Sequence, residues 1–352
     1  MASDQPGDST GLRYRVVPGR PATASVPILT GTSDCCTWLD SVRTDIRLAL
    51  DRHGALCLPG LPIGDPDDFA AVRDVLVNHR AGYVEKATPR TSYGDDVFSS
   101  TDLPAGQAIR LHNENSYTLT FPGLLLFGCL EAPGHGGATT IADCREVLTN
   151  VPPSLLKRFR ASGWSLLRNY SDHYSLDWPT AFGTGSRADV NQYCIERLVG
   201  SAWSADGQLR TSQVRSAIIR HPRTGDEVWF NHVAFWSEWS LDPEIREILL
   251  AEAGPGCLPF NTAFGDGAAP TPTEIAAINT AYDRATVRHS WRPGDVLIVD
   301  NLRSAHGRDA FRGNRKIVVA MGDPVALADC SPTVAAAPGQ LPATATDQMR
   351  SQ

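Results

Sequence analysis

The sequence lacks the features that mark nucleic-acid-binding and membrane proteins. Lys and Arg number 32 against 39 Asp and Glu, which gives a net charge of −7, and no basic run is present. Phosphate binding needs clustered cations, so we expect no nucleic-acid partner. The longest apolar run, 121–130, has ten residues, whereas a membrane span needs about 20. We therefore expect a soluble protein with no membrane partner.

Export and disulfide signatures are also missing. Acidic residues, Asp4 and Asp8, stand where a secretory signal would carry a basic patch and an apolar core. The eight cysteines include no C-x-x-C pair, and several lie in apolar surroundings, as Cys57 does between Leu56 and Leu58. This usage is typical of reduced, buried cysteines, so we expect a cytoplasmic protein.

Nucleotide-binding fingerprints are absent, and the pattern of predicted elements is mainly β. No G-x-G-x-x-G follows a predicted strand, and no P-loop motif occurs. Helix caps precede Phe69, Ile245 and Ile275, and a further helix is predicted over 38–52. Predicted strands are short and more numerous: 55–58, 124–130, 164–170, 217–221, 228–232, 296–300 and 316–321. Since they do not alternate with helices, an antiparallel barrel or sandwich with helices packed outside is favoured.

The composition changes near both ends of the chain. Residues 1–32 are mostly polar and are predicted to be flexible, and the Ala/Pro/Thr-rich segment 324–352 is predicted to be disordered. Gly and Pro, 55 of the 352 residues, favour a fold with many turns between these ends. We expect a single domain over 33–323.

The most informative segment is His112-Asn113-Glu114. If it is extended, His112 and Glu114 project from the same face, because successive strand side chains alternate. His306 is the C-terminal candidate for a third ligand. Two histidines and a carboxylate form the facial triad of non-haem Fe(II) oxygenases, which leaves positions free for a cosubstrate and dioxygen.

Two other readings of the same residues stay open. Zn(II) held by the same three side chains would give a hydrolase with a metal-bound water. The three residues would instead be structural in a non-catalytic jelly-roll binding protein. H-x-E alone is a weak signal, so the wider sequence context has to decide.

That context resembles the Fe(II)/2-oxoglutarate-dependent oxygenases of the taurine dioxygenase (TauD/TfdA) and clavaminate synthase-like group. The resemblance covers about residues 55–323, and the branch with H-N-E near the front and H-G-R near the end is most similar to the SyrP-type amino-acid hydroxylases. Its motifs are specific in combination, because their order and spacing extend over most of the chain. They are Tyr117, Pro122, Gly136-Gly137-Ala138-Thr139, Asp143, Trp291-Arg292-Pro293-Gly294-Asp295 and His306-Gly307-Arg308.

The resemblance implies a double-stranded β-helix, or jelly roll, surrounded by helices, with an insertion between the metal ligands. It implies that His112, Glu114 and His306 bind Fe(II), and that Thr139 and Arg315 bind the far carboxylate of 2-oxoglutarate. Guanidinium suits that role, because it offers a permanent charge and a bidentate fork. Only nine positions separate His306 from Arg315, fewer than in taurine dioxygenase, so Arg308 and Arg312 remain alternatives.

The resemblance also implies the reaction. 2-Oxoglutarate and O2 would be consumed to give succinate and CO2, with hydroxylation, desaturation or cyclisation at an unactivated carbon. Related radical halogenases carry a small residue in place of the carboxylate, so Glu114 disfavours halogenation. The expected substrate is an amino acid or a derivative in natural-product biosynthesis, free or tethered to a carrier protein. Candidate substrate contacts are Asn113, Asn115, Ser116, Arg168, Asn231 and Arg308.

Overall fold

A computed structural model describes residues 3–5, 11–82, 85–171, 175–254 and 257–341. Its strands are β1 (Ser3–Gln5), β2 (Tyr14–Val16), β3 (Ala22–Ala24), β4 (Ala55–Leu58), β5 (Ser92–Gly94), β6 (Val97–Ser99), β7 (Ile109–His112), β8 (Thr120–Glu131), β9 (His135–Gly136), β10 (Thr139–Asp143), β11 (Trp164–Asn169), β12 (Gly200–Trp203), β13 (Leu209–Arg215), β14 (Ile218–Arg220), β15 (Glu227–Trp229), β16 (Phe260–Phe264), β17 (Thr286–His289), β18 (Val296–Asp300), β19 (Ser304–Arg308), β20 (Phe311–Arg312), β21 (Lys316–Ala326) and β22 (Ala337–Pro338). The helices are α1 (Thr32–His53), α2 (Pro66–Leu76), α3 (Cys144–Asn150), α4 (Pro153–Ser162), α5 (Trp178–Phe182), α6 (Arg187–Glu196), α7 (Pro243–Ala253) and α8 (Pro272–Arg284), with 3-10 turns at Glu238–Ser240 and Leu327–Cys330. Within this described part, no helix combines the length and the apolar character needed to cross a membrane.

Two sheets face each other and form the predicted double-stranded β-helix. The major sheet has the order β1-β2-β3-β4-β18-β8-β21-β6-β5, and the minor sheet has the order β17-β10-β19-β7. Leu125, Phe127, Leu297 and Val319 of the major sheet and Ile141 of the minor sheet share one buried cluster between them. The pairings in both sheets are antiparallel except for β3 with β4. The predicted fold class, mainly β with surrounding helices, is confirmed.

The central strands follow from continuous apolar runs. β18 has all five residues buried and pairs with β4 on one side and β8 on the other, as a strand covered on both faces should. The outer face of the major sheet packs under α1 and α2. The predicted cap of α2 is present, since the Asp65 side chain accepts from the amides of Asp67 and Asp68.

An insertion of about 140 residues separates β10 from β17, between the second and third ligand positions. It contains α3 to α8, the hairpin β14-β15 and a further sheet of order β12-β13-β11-β16. β22, which lies outside the insertion in sequence, pairs with β13 of this sheet. Its core includes Trp164 and Trp229 together with Tyr117 and Phe121 of the barrel chain. An insertion between the metal ligands was expected, and the structure shows that it contains a sheet as well as helices.

The two terminal segments are more ordered than the sequence suggested. Leu12 and Tyr14 are buried, and β3 pairs with β4, so the described residues of 1–32 form an edge of the major sheet. The predicted disorder of 324–352 is wrong for 324–341, where Leu327 and Cys330 are buried and β22 adds to β13. The Ala/Pro/Thr-rich composition favoured disorder, but a few buried apolar side chains and pairing with the edge of β13 order this part of the segment. Residues 342–352 lie outside the described residues.

Candidate active site

His112, Glu114 and His306 converge inside the mouth of the barrel. His306 on β19 stands directly opposite His112 on β7, and their ring centroids are 4.4 Å apart. His306 Nε2 lies 3.8 Å from Glu114 Oε2. One ligand atom from each of the three residues lies within 4.8 Å of the other two. The structure therefore brings the predicted triad together, although 192 positions separate Glu114 from His306 in sequence.

Glu114 reaches this point from a turn and not from the strand that the sequence suggested. β7 ends at His112, and Glu114 lies just beyond that end. Asn301 fixes the turn, because its Oδ1 accepts from the Glu114 amide at 2.7 Å and its Nδ2 donates to the Glu114 carbonyl at 3.0 Å. The same Nδ2 donates to the carbonyl of Pro122 at 2.7 Å. A buried asparagine thus positions the carboxylate residue through its backbone.

The protonation states of the histidines suit a metal. His112 Nδ1 donates to the carbonyl of Arg110 at 2.9 Å, which leaves the Nε2 lone pair free. Burial lowers the pKa of His112, and it lowers that of His306 further, with the neighbouring His112 adding to the effect. Both imidazoles are therefore neutral near pH 7. Two neutral imidazoles and one carboxylate are donors that Fe(II) and Zn(II) both accept, so the residues fit a divalent ion.

A polar pocket adjoins the triad on the side of Thr139 and Arg315. Both residues line it together with Ser100, His112 and His306. Arg315 Nη1 donates to Ser100 Oγ at 3.0 Å, and Trp291 Nε1 donates to Thr139 Oγ1 at 3.1 Å. Burial lowers the pKa of Arg315 to about 10, so the guanidinium is still cationic at neutral pH. The pocket offers a fixed charge and a hydroxyl beside the three ligands.

The two alternative arginines are placed differently. Arg308 also borders this pocket, but its guanidinium donates to the carbonyls of Pro104 at 3.0 Å and Gln107 at 2.8 Å. It holds a loop in place. Arg312 is exposed on β20, opposite His135. Arg315 is the arginine best placed to meet a dicarboxylate.

A second pocket also borders His112 and Glu114, and it shares Arg90 and His112 with the first. Its walls include Arg90, Tyr117, His232, Phe235 and Trp236. Arg90 Nη2 donates to Glu114 Oε2 at 2.9 Å, and both side chains are almost fully buried. The Phe235 ring packs 4.3 Å from the ring of His112. The pocket is thus aromatic with one cation next to the triad.

The predicted substrate contacts divide into two groups. Asn115 lines the second pocket, and Ser116 lies beneath it, where its Oγ is 2.6 Å from Nδ1 of His232. Asn113 and Asn231 hold backbone instead, donating to the carbonyls of Asn301 and Ala217 respectively.

Arg168 is also placed away from the second pocket. Its guanidinium lies 3.6 Å from the carboxylate of Glu85 and donates to the carbonyl of Lys86 at 2.9 Å. Arg168 thus forms a structural ion pair and lines neither of the two pockets beside the triad.

Sequence reasoning missed several residues of the site. Arg90 comes from an irregular loop with no motif around it, so nothing in the sequence marked it. Phe235 and His232 follow β15 in the insertion, and only the three-dimensional path of the insertion brings them to His112 and Glu114. Asn301 directly follows the buried strand β18, and a polar residue in that position was a usable signal.

Comparisons with known proteins show what this chain is similar to. Residues 28–321 match the sequence profile of the taurine catabolism dioxygenase TauD, TfdA family. The chain is 35% identical over 276 residues to the dapdiamide synthesis protein DdaC of Enterobacter agglomerans, covering 78% of this chain and 84% of that protein. It is 26% identical over 219 residues to the tyrosine isonitrile desaturase of Pseudomonas aeruginosa, covering 62% of this chain and 57% of that protein. The solved structure of PvcB from P. aeruginosa, an Fe, α-ketoglutarate-dependent oxygenase, aligns with a TM-score of 0.52 at 17% identity, covering 91% of this chain and 94% of that one.

The jelly roll and the family match together define the class as the non-haem iron dioxygenases. The chain belongs to the TauD, TfdA family of these enzymes. Its cofactor is Fe(II), and its cosubstrates are 2-oxoglutarate and O2.

Proposed function

We propose that His112, Glu114 and His306 bind Fe(II), and that Thr139 and Arg315 bind 2-oxoglutarate, for hydroxylation of an amino-acid-derived small molecule. The observation that carries this proposal is the convergence of the three ligand atoms within 4.8 Å, beside a pocket that holds Arg315 and Thr139. A hydrolase would have no use for a buried dicarboxylate site. That difference argues against a Zn(II) hydrolase with the same ligands.

Different residues of the site would bind the cosubstrate, position Glu114 and exclude water. Arg315 and the Thr139 hydroxyl would fix the far carboxylate of 2-oxoglutarate, and Asn301 keeps the Glu114 backbone in place. Fe(II) held by His112, Glu114 and His306 would supply O2 activation coupled to decarboxylation of 2-oxoglutarate, and with it oxidation of an unactivated carbon. The aromatic walls at Phe235 and Trp236 would exclude water from the reacting carbon.

The second pocket suggests the substrate class. Its aromatic walls suit a small organic molecule, and Arg90, which pairs with Glu114 in this structure, is a buried cation at its wall that would also meet a substrate carboxylate. The relatives named above act in dapdiamide synthesis and on a tyrosine isonitrile. Both names point to amino-acid derivatives in natural-product pathways, and we extend that class to this chain. A carrier-tethered form of such a substrate is the second version of the same proposal.

The experiment is oxygen-dependent succinate release by the Fe(II)-loaded protein, screened with free and N-acylated amino acids. The right substrate should raise succinate formation and give a product one oxygen atom heavier, or two hydrogen atoms lighter if desaturation occurs. Replacing the substrate carboxylate with a carboxamide should cost activity in the wild type. In Arg90→Gln the carboxylate and carboxamide forms should be used equally.

Two controls make the outcome decisive. His306→Ala should abolish succinate release, whereas His135→Ala, at an exposed histidine of β9, should not. Succinate release that survives His306→Ala would refute the ligand assignment. A carboxylate preference that survives Arg90→Gln would refute only the role of Arg90 in substrate binding and would leave the ligand assignment intact.

A further inference from the structure

A second cluster of metal-binding side chains lies in the barrel, apart from the triad. Cys57 comes from β4, His289 ends β17, and Asp295 immediately precedes β18. One ligand atom from each lies within 4.8 Å of the other two. The three residues are buried, with exposures of 2%, 9% and 4% respectively. None of them belongs to the iron site or to the cosubstrate pocket.

The two distances from His289 to the other members of the cluster are close to those around a tetrahedral ion. His289 Nε2 is 3.4 Å from Asp295 Oδ2 and 3.9 Å from Cys57 Sγ. Around a tetrahedral Zn(II), nitrogen and oxygen ligands would lie about 3.3 Å apart, and nitrogen and sulfur about 3.6 Å apart. A charge-assisted hydrogen bond between His289 and Asp295 would be shorter, at about 2.7 to 2.9 Å. The His289–Asp295 distance of 3.4 Å is therefore closer to that between two ligands of one metal ion than to that of a direct ion pair.

The charges of the three side chains and the orientation of Asp295 also favour a metal site. A thiolate and a carboxylate together balance a divalent cation, so the filled site would be electrically neutral in a buried setting. Asp295 Oδ2 accepts from the Arg292 amide at 3.0 Å, which fixes the carboxylate toward the histidine. Cysteine, histidine and aspartate are all ligands that Zn(II) takes in proteins.

We propose that Cys57, His289 and Asp295 form a second metal site, which takes Zn(II) with water in the fourth position and joins the two sheets of the barrel. Cys57 lies in the major sheet, Asp295 lies in the turn that leads into β18 of that sheet, and His289 belongs to the minor sheet. His289 also stands opposite Thr139 in the β10–β17 pair. A metal there would fasten the strand that carries one wall of the cosubstrate pocket.

The test uses the full chain, stripped of metal and titrated with Co(II) under anaerobic conditions. Thiolate ligation gives Co(II) an intense near-ultraviolet charge-transfer band, which the His112-Glu114-His306 site cannot produce. We expect this band in the wild type and in Cys129→Ala, a buried barrel cysteine on β8. It should be lost in Cys57→Ala. A band that is absent from the wild type, or that persists in Cys57→Ala, overturns the proposal.

Zinc content gives a second readout that does not depend on the catalytic site. The double variant His112→Ala/His306→Ala should retain one zinc per chain and the Co(II) band, and adding His289→Ala should remove both. A double variant that binds no zinc refutes the second site, whatever the activity assays show. This measurement also decides the matter if Cys57→Ala fails to fold.

Discussion

At the scale of single residues, the most specific prediction concerns the role of Arg315 in 2-oxoglutarate binding. Arg315→Ala should weaken anaerobic binding of 2-oxoglutarate at least 30-fold, because losing one partner of a buried charged pair costs about 2 to 5 kcal/mol. Arg312→Ala removes an exposed arginine three positions away and should leave the affinity unchanged. Titration of the Fe(II) complex measures both. Unchanged affinity in Arg315→Ala together with a loss in Arg308→Ala would transfer the role to Arg308.

Asn301 should matter although it touches no ligand atom. Asn301→Ala leaves the buried amide and carbonyl of Glu114 without their partner, which should cost about 2 to 4 kcal/mol of unfolding free energy. Misplacement of Glu114 should also weaken Co(II) binding at the triad about tenfold. Denaturant unfolding and metal titration measure the two effects. Asn314→Ala, at an exposed position, should change neither.

At the scale of elements, a buried ion pair ties the insertion to the loop that carries Arg90. Arg168 on β11 lies 3.6 Å from Glu85, and Tyr193 on α6 donates to the same carboxylate at 3.0 Å. Burial raises the pKa of Glu85 in spite of the nearby Arg168. The charged carboxylate is therefore costly to bury, and removing the arginine makes it more so.

The pH dependence of an Arg168→Met variant tests this coupling. A raised carboxyl pKa in the folded state means that stability falls as pH rises above the ordinary carboxyl value, where only the unfolded state ionises readily. Without Arg168 the pKa of Glu85 should rise further. The variant should therefore lose more unfolding free energy at about pH 8, by roughly 3 kcal/mol, than at about pH 5. An equal loss at both pH values would show that packing alone is responsible.

The sequence predicted elements well where local chemistry defines them. β4 and β18 have the predicted bounds because they are short apolar runs between turns, and the capping box at Thr271 and Glu274 marks the start of α8. The sheet of β11, β12, β13 and β16 could not be predicted, since its pairing depends on contacts between distant segments. The triad was predictable because its residues lie in recognisable motifs. Arg90 and Phe235 lie in no motif, and only contacts between distant segments bring them to the site.

At the scale of the whole molecule, residues 324–341 pack against the rest of the protein and contribute to its stability. Leu327 and Cys330 are buried, and the Thr333 amide donates to Ser216 Oγ at 3.0 Å. A chain that ends at Asp323 should lose at least about 3 kcal/mol of unfolding free energy, because two apolar anchors and a strand pairing disappear. A chain that ends at Leu341 keeps all the described contacts and serves as the matched control. Equal thermal midpoints for the two would show that the segment contributes nothing.

The central claim is that His112, Glu114 and His306 hold Fe(II) next to a 2-oxoglutarate site built on Arg315. The most direct measurement is the visible spectrum of the protein with Fe(II) and 2-oxoglutarate in the absence of oxygen. We predict the weak charge-transfer band of chelated 2-oxoglutarate in the wild type and in Arg312→Ala, its absence in His306→Ala, and its appearance in Arg315→Ala only at much higher 2-oxoglutarate concentration. A wild-type protein without the band, or a band that persists in His306→Ala, would contradict the account.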